Sequence, residues 1–450
     1  MQVTGLGRAR RQTPPSQTGQ MTRYHAEYAW LGGDTADREV RIEVADGRIT
    51  AVQPGAPPDG TRLPGLTLPG LANAHSHAFH RALRGRTQSG RGTFWTWREQ
   101  MYALAGHLDP DGYYRLARAT YGEMVLAGIT CVGEFHYLHH APGGTRYADP
   151  NAMGHALLAA ARDAGLRITL LDTVYLTSTV EGAPLTGPQL RFGDGSLDAW
   201  AARVGALRPE AHAVIGGAAH SVRAVPAGVL GAMAVGEGPF HIHLSEQRAE
   251  NEACRARYGG SPSEVLHEAG LLGEQTTVVH ATHLSDEDRT LLGDTRTRVC
   301  FCPTTERELA DGIGPAADLA TAGSPLCLGS DSHAVIDLFE EARAVELDER
   351  LRTEHRGHFT AAELLGAATG AGHLALGWTD AGRLAPGYRA DLVTVTLDSV
   401  RTVGAQPLPA AVFAATAADV THVLVDGVPT VTDGRHRSLD VPRELREALP

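Results

Sequence analysis

The sequence predicts a (β/α)8 barrel joined to a small β-sandwich built from both ends of the chain. Three observations predict it. Eight short apolar, β-prone runs fall between about residue 66 and residue 331, with helix-like stretches between several of them. Most runs are continuously apolar rather than alternating, as expected of parallel strands buried on both faces. Alternating strands with Asp-Gly turns appear only near the two ends.

The runs are Leu66–Ala74, Ile129–Phe135, Leu166–Leu176, His212–Ala219, Phe240–Leu244, Thr276–His280, Thr297–Phe301 and Pro325–Ser330. Arg115–Ala127 and Ala152–Ala164 are Ala/Leu-rich and precede Gly128 and Gly165, which read as helix C-caps. A doubly wound sheet is the alternative, but no glycine-rich first turn supports it. Val40–Val52 alternates around the turn Asp46-Gly47; Ala390–Thr396 and Val423–Val428 read as partner strands and a hairpin. The expected organisation is a disordered polar tail over 1–20, a β-sandwich from 21–68 and 383–440, and a barrel over 69–382. Met21 is a second candidate start.

The chain has 450 residues and a net charge of −12. That acidic balance argues against nucleic acid or an anionic membrane as partner, and no apolar run reaches membrane-spanning length. The five cysteines have no framework spacing and read as buried free thiols, which fits a reducing cytoplasm. All 40 basic residues are arginine and none is lysine. Schiff-base chemistry, a phosphate-loop lysine and a carbamylated lysine bridging two metals are therefore excluded.

In such a barrel the reactive groups lie at the carboxyl ends of the strands. There the sequence places His75 and His77, then Glu134-Phe-His-Tyr137, His220-Ser-Val-Arg223, His241 and His243 followed by Glu246, His280, and Asp331. His241 and His243 share one face of their strand by period two; His243 is nearer the carboxyl end and is taken as the ligand. His75, His77, His243 and Asp331 then form a mononuclear site for zinc or another divalent ion, with room for a water. A metal there lowers the pKa of that water for attack on an electron-poor sp2 carbon. His280 and Asp331 are placed to orient the water and accept its proton, and Glu246 to carry a proton to a leaving nitrogen.

These residues carry a resemblance. Pro69-Gly-Leu-Ala-Asn-Ala-His75-Ser-His77, His243-Leu-Ser-Glu246, His280, Ser330-Asp331-Ser332 and Gly382-Arg-Leu-Ala-Pro-Gly-Tyr-Arg-Ala-Asp391 resemble the deaminase branch of the amidohydrolase superfamily. The likeness runs from residue 21 to about 435. Phe94-Trp-Thr-Trp-Arg-Glu-Gln-Met-Tyr102, Glu134-Phe-His-Tyr-Leu-His-His140 and His220-Ser-Val-Arg223 resemble, more narrowly, the formimidoylglutamate deiminases of histidine degradation. The resemblance implies one zinc per subunit on His75, His77, His243 and Asp331, proton transfer by Glu246 and His280, and substrate contacts from His80, Arg98, Tyr137, His220 and Arg223. It implies a small dicarboxylate substrate, and a homodimer in which Arg98 reaches the neighbouring subunit's site. Arginine forks suit two carboxylates. The family usually has Gln where this chain has His80, which puts that single contact in question. Two other readings stand beside this one: an aminohydrolase of a purine or other heterocycle, and a non-catalytic scaffold. The scaffold predicts lost ligands, whereas every proposed ligand is present.

Overall fold

The computed structural model describes residues 21–88, 91–233 and 238–449. The expected tail, residues 1–20, lies outside the described residues. The chain opens with four strands: β1 (Thr22–Ala29), β2 (Asp37–Ala45), β3 (Arg48–Gln53) and β4 (Thr61–Pro69). Eight strands follow: β5 (Leu71–Ser76), β6 (Ile129–His136), β7 (Arg167–Val174), β8 (Ala213–Ala219), β9 (Phe240–Leu244), β10 (Thr276–His280), β11 (Arg298–Phe301) and β12 (Leu326–Leu328). The chain ends with β13 (Leu392–Val395), β14 (Val420–Val425), β15 (Val428–Thr432), β16 (Arg435–His436) and a helix, Val441–Ala448.

Strands β5 to β12 pair in parallel in chain order. A Ser76–Asp331 bridge closes the ring. There Asp331 N donates to His75 O at 3.0 Å and His77 N donates to Asp331 O at 3.3 Å. The ring closure thus brings two expected metal-ligand segments together. Of the expected strands, Leu66–Ala74 alone is divided. It splits at Gly70, where a side chain would lie 2.2 Å from Thr130 Oγ1, so that glycine alone fits the crossing between the two sheets. The residues before Gly70 belong to β4 and those after it to β5, so one apolar run serves both units.

The terminal strands form one eight-stranded mixed sheet, ordered β16-β15-β14-β13-β4-β1-β2-β3. Period-two alternation sets its two faces. Leu66, Leu68, Val393 and Val395 join the barrel's apolar cluster. Leu63, Leu392 and Leu424 instead close over Tyr24, Ile42 and Ile49 in a second core. Asp46-Gly47 and Asp426-Gly427 make the predicted hairpin turns, all four residues having positive φ. Arg167, at the start of β7, ties barrel to sheet. Its guanidinium pairs with Asp391, lies 3.1 Å from Asp426 Oδ1 and stacks over Trp378. That contact accounts for the aspartate ending the Gly382–Asp391 stretch.

The helix Pro110–Leu126 starts on an Asp109 cap, and Ala152–Ala164 ends at Gly165 with φ 79°. All five cysteines are free and buried. No helix of the described residues is long and apolar enough to cross a membrane.

Candidate metal centre and cavity

Ligand atoms of His75, His77, His243 and Asp331 all lie within 4.8 Å of one another. Each residue is buried. His75 Nε2 and His77 Nε2 each stand 3.3 Å from Asp331 Oδ1, and His243 Nε2 is 3.1 Å from His75 Nε2. His77 Nδ1 donates to Phe135 O and His243 Nδ1 to His220 O, each at 2.9 Å. Those bonds place the proton on Nδ1 and aim the Nε2 lone pair at the common centre. Burial depresses the pKa of all three imidazoles, so they are neutral. Burial alone would raise Asp331. The His75 contact and the neighbouring imidazoles outweigh it and hold the carboxyl well below its usual range. Three neutral imidazole nitrogens and one carboxylate fit a divalent ion of the zinc kind.

Backbone strain collects at this rim. Ser245, His280, Ala281 and Asp331 have φ of 51°, 71°, 51° and 38°. None is glycine, so each is held in the left-handed region by its surroundings. At His280 and Asp331 the turn leaves two strand ends facing each other across the barrel mouth. His280 Nε2 lies 3.9 Å from both Glu246 Oε1 and Asp331 Oδ2, and its Nδ1 lies 3.3 Å from Glu306 Oε1. Burial pushes Glu246 up. Burial opposes charge on His280, but Glu246, the Glu306 hydrogen bond and Asp331 overcome it and raise His280 to about 10. The Glu246–His280 pair therefore retains a proton at neutral pH.

Above the cluster is a cavity open to solvent at its mouth. His80, Arg98, Tyr137, His220 and Arg223 all line it, as do Glu246 and His280. Arg98 lies on the helix Phe94–Ala105, its guanidinium 4.4 Å above Trp95 and 5.5 Å from Tyr102. It thus stands in the wall of its own chain's cavity. His80 Nε2 is 3.1 Å from Tyr137 Oη. Burial lowers its pKa to about 3, so it acts as a neutral hydrogen-bonding group. Arg223 is held by Glu250, with Nη1 to Oε2 at 3.4 Å.

Several polar residues of the same rim point elsewhere. His241 Nε2 is 2.9 Å from Ala375 O, below the cluster. Glu134 accepts from Ser76 Oγ at 2.8 Å and from Ala78 N at 2.7 Å, bracing the His75–His77 turn from behind. His140 pairs with Asp194, and His139 Nε2 is 3.0 Å from Thr173 O. Sequence reasoning missed a bracing network beneath the candidate ligands. Asn73 donates to Ser330 Oγ and accepts from Ser330 N, while His333 contacts Ser330 Oγ and Ser76 Oγ at 3.0 and 3.1 Å. It also missed Glu250, Gln189 and Glu306. The one available signal was Asn73, a polar residue inside an otherwise apolar run.

A barrel whose mouth carries such a cluster is the architecture of a metal-dependent hydrolase. Residues 66–430 match the amidohydrolase family, and the chain belongs to it. It is 37% identical to the formimidoylglutamate deiminase of Pseudomonas aeruginosa, over 92% of this chain and 96% of that protein. It is 29% identical to the 8-oxoguanine deaminase of the same organism, over 89% of this chain and 91% of that one. Among solved structures it is similar to an amidohydrolase from Brucella melitensis. That match has a TM-score of 0.87 and 34% identity, covering 95% of this chain and 98% of the other.

Proposed function

We propose that the chain hydrolyses N-formimidoyl-L-glutamate to N-formyl-L-glutamate and ammonia in histidine degradation, in the cytoplasm, with one zinc per subunit. The observation that carries this reading is the pair Arg98 and Arg223 in the wall of the cavity that holds the His75, His77, His243 and Asp331 cluster. Two guanidiniums suit two carboxylates of one substrate and have no counterpart in an uncharged purine ring. The 37% identity to a formimidoylglutamate deiminase supports the same choice.

A divalent ion held by His75, His77, His243 and Asp331 would supply Lewis acidity and lower the pKa of a water there. The chain's own residues do the rest. Asp331 and His280 orient the attacking water and polarise the amidine carbon's substituents. Glu246 takes the water's proton and delivers it to the departing nitrogen. Arg98 and Arg223 hold the carboxylates, with Tyr137, His80 and His220 alongside, which fixes the amidine over the cluster. The expected homodimer is part of the proposal, although Arg98 reaches its own chain's cavity without one.

A purine aminohydrolase is the second reading. The rings of Phe94, Trp97, Tyr137, Tyr175 and Phe192 lining the cavity favour it, as does the likeness to 8-oxoguanine deaminase. The test is ammonia release by zinc-loaded protein from N-formimidoyl-L-glutamate, guanine and adenosine in parallel, each with a chelated control. Release from the formimidoyl compound alone, abolished by chelation, is expected. Turnover of a purine instead would overturn the substrate assignment.

A further inference from the structure

Gln189 is 7% exposed and lies on a short turn, Gly187–Arg191, outside the barrel ring. Its Nε2 donates to Tyr102 Oη at 3.2 Å and to Tyr175 Oη at 3.3 Å. The two phenols come from distant places: Tyr102 from the helix over the cavity mouth, Tyr175 from the segment after β7. Both line the cavity.

Counting hydrogens gives the polarity of this group. The amide supplies an N–H to each phenol oxygen. The phenols keep two hydrogens of their own, which the amide does not accept. Tyr175 is buried, so its O–H needs an acceptor, because a donor left unmade in a buried site is costly. Arg223 lines the same cavity as both phenols. Glu250 contacts its guanidinium at Nη1, and the side chain lines the cavity. Phenol donors beside a guanidinium call for an anion, not for an amidine or a neutral ring. Tyr175 packs on His220, with ring centroids 4.6 Å apart, and His220 packs on the ligand His243 at 5.0 Å. The donor group therefore lies one ring layer away from the metal cluster.

We propose that Tyr102 and Tyr175 are specificity-determining residues that bind, together with Arg223, one carboxylate of the substrate, and that Gln189 is the positioning residue that turns their hydroxyl hydrogens toward it. The proposal rests on the dicarboxylate reading above and adds three residues to it. Exchanging Gln189 for Glu puts an acceptor where the amide donated, so the hydroxyl hydrogens swing to it and away from the ligand.

The experiment compares wild type with Y102F, Y175F, the double variant and Q189E. Each phenylalanine keeps the ring packing. KM for N-formimidoyl-L-glutamate should rise about tenfold in each single variant, and further in the double variant, with kcat nearly unchanged. For N-butylformamidine, which carries no carboxylate, kcat/KM should not move in any of them. Unchanged KM for the dicarboxylate, or an equal loss on both substrates, would overturn the proposal, the second outcome marking a merely structural role. Calorimetric titration with glutarate separates this from failure of the function itself. A wild type that binds glutarate but does not turn over the formimidoyl compound loses the function, and the subsite then stands or falls by weaker glutarate binding in the double variant.

Discussion

Replacing Glu246 by Gln removes a charge and a proton-carrying oxygen while keeping shape. Glu246 is buried and outside the four-ligand cluster, so the exchange should leave metal binding intact. Its Oε1 lies 3.9 Å from His280 Nε2. At an effective dielectric constant of about 20, two unit charges at that distance interact by roughly 4 kcal/mol. Losing that interaction where charge moves corresponds to about a thousandfold in rate. General acid–base groups independently contribute on the order of 10²–10⁴, so both routes reach the same size. We expect kcat for N-formimidoyl-L-glutamate to fall by about 10³ in E246Q, with the zinc content of the purified protein equal to that of wild type. The assay pairs ammonia release with elemental analysis of the same sample. Loss of zinc would make Glu246 a structural or ligand residue. A kcat within tenfold of wild type would refute the proton-transfer role and leave His280 to act alone.

Other consequences are open to simple measurement. R223M should lower kcat/KM for the dicarboxylate about 10- to 100-fold, mostly through KM; an unchanged KM removes Arg223 from the binding wall. R167M strands the buried Asp391 carboxylate and should cost about 3–5 kcal/mol in chemical denaturation, less than additively with D391N because the two touch. A cost below about 1 kcal/mol would show that the barrel–sheet contact is dispensable. Burial would raise Asp419, but Arg401, Ser399 and the Thr416 N–H hold it down to about 2. Its folded value is therefore depressed, and its stabilisation is present above about pH 4 and lost as pH falls toward 2. D419N should flatten the decline of the melting temperature over that window; an identical decline in both proteins would locate the acid sensitivity elsewhere.

What the sequence disclosed divides along a physical line. Strands β6 to β12 were legible because burial on both faces forces continuous apolar runs, and parallel order follows from the helices between them. The hairpins were legible because Asp-Gly is cheap where both residues need positive φ. The Gly70 break was not, and the need for glycine there comes from Thr130, some sixty residues away, approaching too closely for a side chain. His75, His77 and Asp331 could be picked out as candidate ligands because a metal site in a barrel lies at the strand ends, and the strand ends were already known. Choosing His243 over His241 needed only the direction of β9. Its neighbour turns to the Ala375 carbonyl, a contact with no sequence signal at all.

The residues that stayed hidden act through another side chain. Glu250 touches Arg223, Gln189 touches Tyr102 and Tyr175, and His333 touches Ser76 and Ser330. None of these stands at a strand end, and each meets its partner from a loop or helix whose path is set by packing rather than by local pattern. Residue type does not mark them either, because a lone Glu or Gln on a helix or turn is ordinarily a solvated group. Only burial distinguishes them, and burial is a property of the folded chain. In this protein the reactive groups follow from barrel geometry, which sequence periodicity reports. The groups that set charge, tautomer and orientation around them follow from tertiary contacts, which it does not. Substrate choice within a shared hydrolytic core therefore rests on the second kind. Relatives with different printed activities can share the first kind, whereas under the proposed function it is this chain's cavity wall, with Arg98, Arg223 and the Gln189-linked phenols, that would select for negative charge.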